Sequence, residues 1–180
     1  MFGPVRLVFT GKGFIMDFLH CFIYLAIIGT ITFYIGRILP KSWFNYSCFP
    51  YKSFDWEDGG KIYDRIRIKK WQNKLPDMSR IFKRLMPAKK MVSTKRERIE
   101  LMVKETCIAE AAHLALMIMG FGCISIWEGK GGVILSIIYF IVNIPFVLIQ
   151  RYNRPRLLKI LRQPQEGGNK KAALSKESIG

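Results

Sequence analysis

Residues 93–126 read STKRERIELMVKETCIAEAAHLALMIMGFGCISI, a charged helix that runs straight into an apolar one. Thr94 and Glu97 have the spacing of a capping box, in which hydroxyl and carboxylate each satisfy one orphan amide of the first turn. The pattern then turns apolar, yet Glu105, Glu110 and His113 sit at or inside the boundary. Thr106, Glu110 and His113 fall at i, i+4 and i+7 and therefore share one helix face. A charge at bilayer depth costs about 2.5–3.5 kcal/mol on insertion scales, so polar residues kept there point to use. The plainer reading is an acid–imidazole pair that fastens one helix to another.

Outside this stretch the composition is divided in the same way. Half of the 180 residues are hydrophobic, yet the net charge is +16. Both facts fit one chain when the apolar residues are gathered into runs, here Phe14–Leu39, Thr106–Ile126 and Val133–Ile149. Each run is long enough to cross a hydrocarbon core. The expected fold is all-α: a small integral membrane protein of about three transmembrane helices, with a basic amphipathic section between the first and second. It divides into an N-terminal segment with the first span (1–39), the basic interfacial section (40–105), a helical hairpin with a basic exit (106–158) and a basic, disordered tail (159–180). The spans argue against a nucleic-acid binder, which would carry its cations on a soluble module with stacking aromatics. The first run is too long for a signal peptide, contains Asp17 and His20, and is read as a retained anchor. Cys21, Cys48, Cys107 and Cys123 show no C-x-x-C spacing and are read as apolar residues without disulfide or zinc roles.

Between Pro40 and Glu105 the chain carries 17 Lys/Arg against 8 Asp/Glu. The positive-inside rule places this section, and the basic exit after Gln150, on the cytoplasmic side. The Trp127–Gly132 connection then lies opposite, and three spans put the N-terminus outside, against the pull of Arg6 and Lys12. Trp43, Phe44, Tyr46 and Phe49 suit the headgroup layer, and Leu75-Pro76-Asp77 ends the basic stretch around Trp71. Asp17 and His20 share a helix face at the edge of the first span, where a solvated or snorkelling pair is expected. Asn143 and Pro145 predict a kink or local break in the third span.

A carboxylate three residues before a histidine can orient the imidazole and stabilise its protonated form, as a general base acting on a hydroxyl requires. At a membrane edge such a base suits transfer reactions on lipid-linked alcohols. An acyl-CoA or acyl-carrier-protein thioester would arrive as co-substrate from the basic side, with no tightly bound cofactor. Arg151, Arg154 and Arg156 can receive its phosphates, or anchor the chain on anionic lipid. Two other readings stand beside this one. A non-enzymatic accessory subunit would use the Glu110–His113 stripe to dock a partner helix. A metal-dependent membrane oxidase would use the two acid-x-x-His pairs, a ligand pattern of di-iron bundles; the favoured reading has no metal. No G-x-S-x-G, Walker loop, G-x-G-x-x-G or His-x-x-x-x-Asp box is present.

Four segments carry a resemblance: Tyr51-Lys-Ser-Phe-Asp55; Lys70-Trp71 with Lys74; Glu105-Thr106 with Ala109-Glu110 and His113; and Gln150-Arg-Tyr-Asn-Arg-Pro-Arg-Leu157. From Pro40 to Leu158 the chain resembles the glycosyl-4,4'-diaponeurosporenoate acyltransferase family of staphyloxanthin-type carotenoid synthesis. It is longer than the family pattern at Arg80–Thr94 and in its tail. The resemblance implies transfer of a fatty acyl group to a sugar hydroxyl, at glucose C6, of a glycolipid in a bacterial cell membrane. What carries over from the resemblance is the pattern of Glu105, Thr106, Glu110, His113, Lys70, Trp71, Arg151, Asn153 and Arg154; the acid-x-x-His spacing makes His113 and Glu110 the catalytic pair, with the others on the substrates. Trp71 would pack on the sugar or sit in the headgroup layer, and Asn153, Arg154 or Lys70 would stabilise the developing oxyanion.

Overall fold

A computed structural model describes residues 11–72 and 95–163. Thr94 of the predicted capping box, Lys74, the Leu75-Pro76-Asp77 terminator, the Arg80–Thr94 insertion and the tail beyond Gln163 lie outside the described residues.

The three apolar runs form helices long and apolar enough to cross a membrane. Helix α1 (Gly11–Ile38) carries the first. After Pro40 the chain descends through two 3₁₀ turns, Lys41–Trp43 and Asp55–Gly60, into two single-turn helices, α2 (Ile62–Arg65) and α3 (Ile68–Trp71). Helix α4 (Lys95–Met119) continues through a 3₁₀ turn at Gly120–Gly122 into α5 (Cys123–Ile126). Helix α6 (Lys130–Arg162) returns antiparallel along α4. Among the described residues there is no strand.

Two features of α6 differ from expectation. The helix runs unbroken through Pro145 and Pro155, so the predicted local break at Pro145 is absent. Each proline removes one amide donor from the ladder, but its ring geometry is helical and the flanking turns are held by neighbouring helices. The helix also continues thirteen residues beyond Ile149, carrying the basic exit motif and taking in residues 159–162, which were expected to begin the disordered tail.

The hairpin is tight because small residues sit where backbones meet. A Cβ on Gly132 would lie 2.3 Å from the Trp127 carbonyl oxygen and 2.6 Å from that of Cys123. Trp127 in this turn is buried with Cys21 and Cys123, and the Phe14 ring meets it edge-on at 4.8 Å. The first part of α1 therefore packs on the closed end of the hairpin. At the open end, the 40–72 segment folds over α4 and α6. Its turn passes through left-handed Asp58, Gly59 and Gly60 (φ 44°, 60° and 94°). Left-handed backbone in succession favours residues without a Cβ. Gly60 lies directly against the α6 surface at Tyr152, Pro155 and Arg156.

Candidate active site

Helical periodicity places Arg151 and Arg154 one turn apart on the α6 face that meets α4, where Thr106 and Glu110 occupy the corresponding turn. All four side chains are buried. One Glu110 oxygen accepts from Arg151 Nη1 at 2.6 Å, and the other accepts from Arg154 Nη2. Arg154 Nε donates to Thr106 Oγ1 at 2.9 Å, while that hydroxyl donates to the Val103 carbonyl at 2.6 Å. The interfacial segment completes the set. Arg151 Nε donates to Glu57, and its Nη atoms reach the carbonyls of Pro50 and Lys52 at 3.1 and 3.3 Å. Arg154 Nη1 takes the Tyr51 carbonyl at 2.6 Å. The guanidiniums lie 4.6 Å from the Phe54 ring centre and 5.5 Å from that of Tyr51.

Two cations and two anions thus cancel within a site from which water is largely excluded. Burying either sign alone would be prohibitive, and only a paired, fully hydrogen-bonded set is tolerable. Among the described residues no buried side-chain nitrogen or oxygen lacks a partner. Tyr63 adds a hydrogen bond of 2.7 Å to Glu57, and Phe54 N–H donates to the other Glu57 oxygen at 3.0 Å. Burial, and then this bond to the Glu57 carboxylate, push the Tyr63 phenol well above its ordinary range, so it remains a donor.

This geometry corrects the expected pairing of Glu110 with His113. Both Glu110 oxygens are taken by arginines, so the carboxylate does not orient the imidazole. Glu110 is thereby engaged within the chain, with both of its oxygens on α6. Instead His113 Nδ1 lies 2.9 Å from Asn143 Oδ1 on α6, and the ring stacks on Phe146 at 4.7 Å. His113 sits three residues, about 4.5 Å of helix axis, deeper than Glu110.

The remaining predicted residues are dispersed. Glu105 is at the surface, paired with Lys41 at 2.7 Å. Lys70 is exposed. Trp71 is half-buried against Tyr63, Ile68 and Tyr152, its indole N–H donating to the Ile66 carbonyl at 3.0 Å. Asn153 is half-buried on α6. Arg156, half-buried, pairs with Asp64 at 2.8 Å and packs on the Tyr152 ring. Asp17 is half-buried and His20 exposed on α1.

Sequence reasoning missed Glu57 and Asn143. Glu57 lies two residues beyond the Tyr51–Asp55 motif, and nothing local signals its distant partner. Asn143 had a usable signal: it is the only carboxamide in the third apolar run, and such groups in lipid seek a partner on a neighbouring helix.

A family model described as glycosyl-4,4'-diaponeurosporenoate acyltransferase matches residues 40–163. That range takes in the arginine–carboxylate cluster, His113 and Asn143, and leaves out α1. Three Staphylococcus aureus proteins of that name, from strains N315, USA300 and Newman, are similar to the chain. Each is 28% identical over 159 residues, which is 85% of this chain and 93% of the relative. No solved structure matches.

Proposed function

The chain belongs to the glycosyl-4,4'-diaponeurosporenoate acyltransferase family, and from that membership we propose that this acyltransferase moves a fatty acyl group from an acyl thioester to a sugar hydroxyl of a membrane glycolipid. The acceptor class, a glycosylated carotenoid acid, follows the name of the relatives. The observation that supports a base at this position is the half-buried His113, whose Nδ1 is engaged by Asn143 while Nε2 meets no hydrogen-bond partner among the described residues.

His113 Nε2 takes the proton of the sugar hydroxyl. The oxygen attacks the thioester carbonyl, and a carbon–oxygen bond forms as the carbonyl electrons move onto its oxygen. Collapse of this tetrahedral adduct breaks the carbon–sulfur bond, and the imidazolium returns its proton to the departing thiolate. Stabilising the oxyanion is often the largest single term in such chemistry. Arg154 is committed to Glu110, Thr106 and the Tyr51 carbonyl, and Asn153 lies about 15 Å of helix axis from Asn143, so Asn153 and Lys70 are proposed for the donor's phosphates. The acyl-CoA or acyl-carrier-protein donor approaches from the basic side, which in this proposal is cytoplasmic.

The test is turnover of a glycolipid acceptor by purified protein in lipid vesicles supplied with radiolabelled acyl thioester. His113→Ala is expected to lower kcat by at least about 10²-fold, the usual lower range for loss of a general base. The protein should remain folded in detergent, with a loss of about 1–3 kcal/mol for the Asn143 oxygen left without its donor. Normal turnover by this variant would remove His113 from the mechanism.

A further inference from the structure

Asn143 is buried on α6, facing α4, and both ends of its carboxamide are used. Its Nδ2 donates to the Tyr139 carbonyl, one turn back, at 2.9 Å. A carbonyl oxygen only accepts, so that bond fixes which end of the amide is nitrogen. The end presented to His113 is therefore the oxygen, which also only accepts. At 2.9 Å from it, Nδ1 must be the donor. A neutral imidazole carries one proton, so the lone pair is then on Nε2. Stacking on Phe146, with 12° between the planes, restrains the remaining rotation of the ring.

From this geometry we infer that Asn143 is the positioning residue for His113, holding the neutral ring with its proton on Nδ1 and its lone pair on Nε2. The inference rests on the proposed base role of His113 and supplies what Glu110 does not. The choice of an amide over a carboxylate has a physical reason. In a medium of low dielectric a carboxylate beside the ring would favour the imidazolium, which has no lone pair with which to take a proton. A neutral acceptor orients the ring in both of its states, because Nδ1 keeps its hydrogen when Nε2 gains and loses one.

The chain has two histidines, so ¹⁵N-histidine labelling of the full protein in lipid nanodiscs gives two ring systems, with His113 assigned by His113→Gln. The His113 ring should show a protonated Nδ1 and a bare Nε2. Asn143→Leu, which removes the acceptor at similar volume, should move the ring toward the Nε2-protonated form. It should lower kcat by about 10²-fold, the scale of a misplaced catalytic group, and leave KM nearly unchanged. Asn143→Asp keeps an acceptor oxygen and should retain the proton on Nδ1 even where activity falls. A wild-type ring protonated on Nε2 overturns the inference. So does an Asn143→Leu protein with wild-type kcat while His113→Ala is inactive, a result that would leave the base reading standing. Full activity in His113→Ala would instead defeat the base reading itself.

Discussion

Glu110 and His113 sit three residues apart on one helix face, yet belong to different constellations. The sequence placed Thr106, Glu110 and His113 on a single stripe, and helical geometry alone suffices for that. Which partner each one takes was decided by side chains from 30 to about 50 residues away on α6. Glu110 went to the arginines because two buried cations need anions more than one neutral imidazole does. The consequence is measurable as a division of labour. Glu110→Ala leaves Arg151 and Arg154 short of a charge partner inside the protein, a change that costs about 3–5 kcal/mol in comparable buried pairs. Thermal unfolding in detergent should show that loss, with faster proteolysis at Lys52 or Lys61 as the segment detaches. His113→Ala should leave proteolysis of the segment unchanged and cost less, about 1–3 kcal/mol for the Asn143 oxygen left without a donor. Equal stability of the two variants would mean the cluster does not hold the segment down.

At the scale of elements, the lengths of the three apolar runs were legible and their ends were not. The run Val133–Ile149 marks the part of α6 that needs lipid, but the helix itself persists to Arg162. Along this continuation Glu57 and Glu110 neutralise the two arginines that a hydropathy reading would place outside. The hairpin end was likewise decided by close approach. Gly132 reads in sequence as one of several loop glycines. In the structure its α-hydrogen faces two backbone carbonyls, and backbone does not yield as a flexible side chain would. Gly132→Ala is therefore expected to destabilise the α5–α6 turn by about 1–3 kcal/mol, the range for overpacking a close contact. Gly29→Ala, where an added Cβ meets nothing within 4 Å, is the matched control and should hold or slightly raise the melting temperature.

For the whole molecule, the ion-pair cluster and the Trp127 turn mark opposite ends. Tyr51, Glu57, Arg151 and Arg154 lie together at the open end of the hairpin, and Phe14, Cys123 and Trp127 at the closed end. Three spans connect them, so the interfacial segment and the α6 exit share one side of the membrane. We expect that side to be cytoplasmic, by the positive-inside rule. The chain contains its own reporter, because Cys48 is exposed whereas Cys21, Cys107 and Cys123 are buried. A membrane-impermeant maleimide should label Cys48 only after cells are permeabilised. In a Cys48→Ser background, Glu128→Cys in the opposite turn should label in intact cells. The reverse pattern would invert the topology and bring the thioester to the other face.

Composition and run length by themselves determined that this chain is helical, basic and membrane-spanning, because hydrocarbon thickness and backbone hydrogen bonding leave a bilayer segment few alternatives. The motif residues of the stripe and the exit were visible as well, since a polar group in an apolar run cannot be hidden. Only the tertiary structure decided their pairings. Whether a buried carboxylate meets a guanidinium or an imidazole depends on which helix faces it and at what depth, and helix crossing and loop docking set both through contacts far apart in the chain. Glu57, Asn143 and the committed state of Arg151 and Arg154 all belong to that second kind of information.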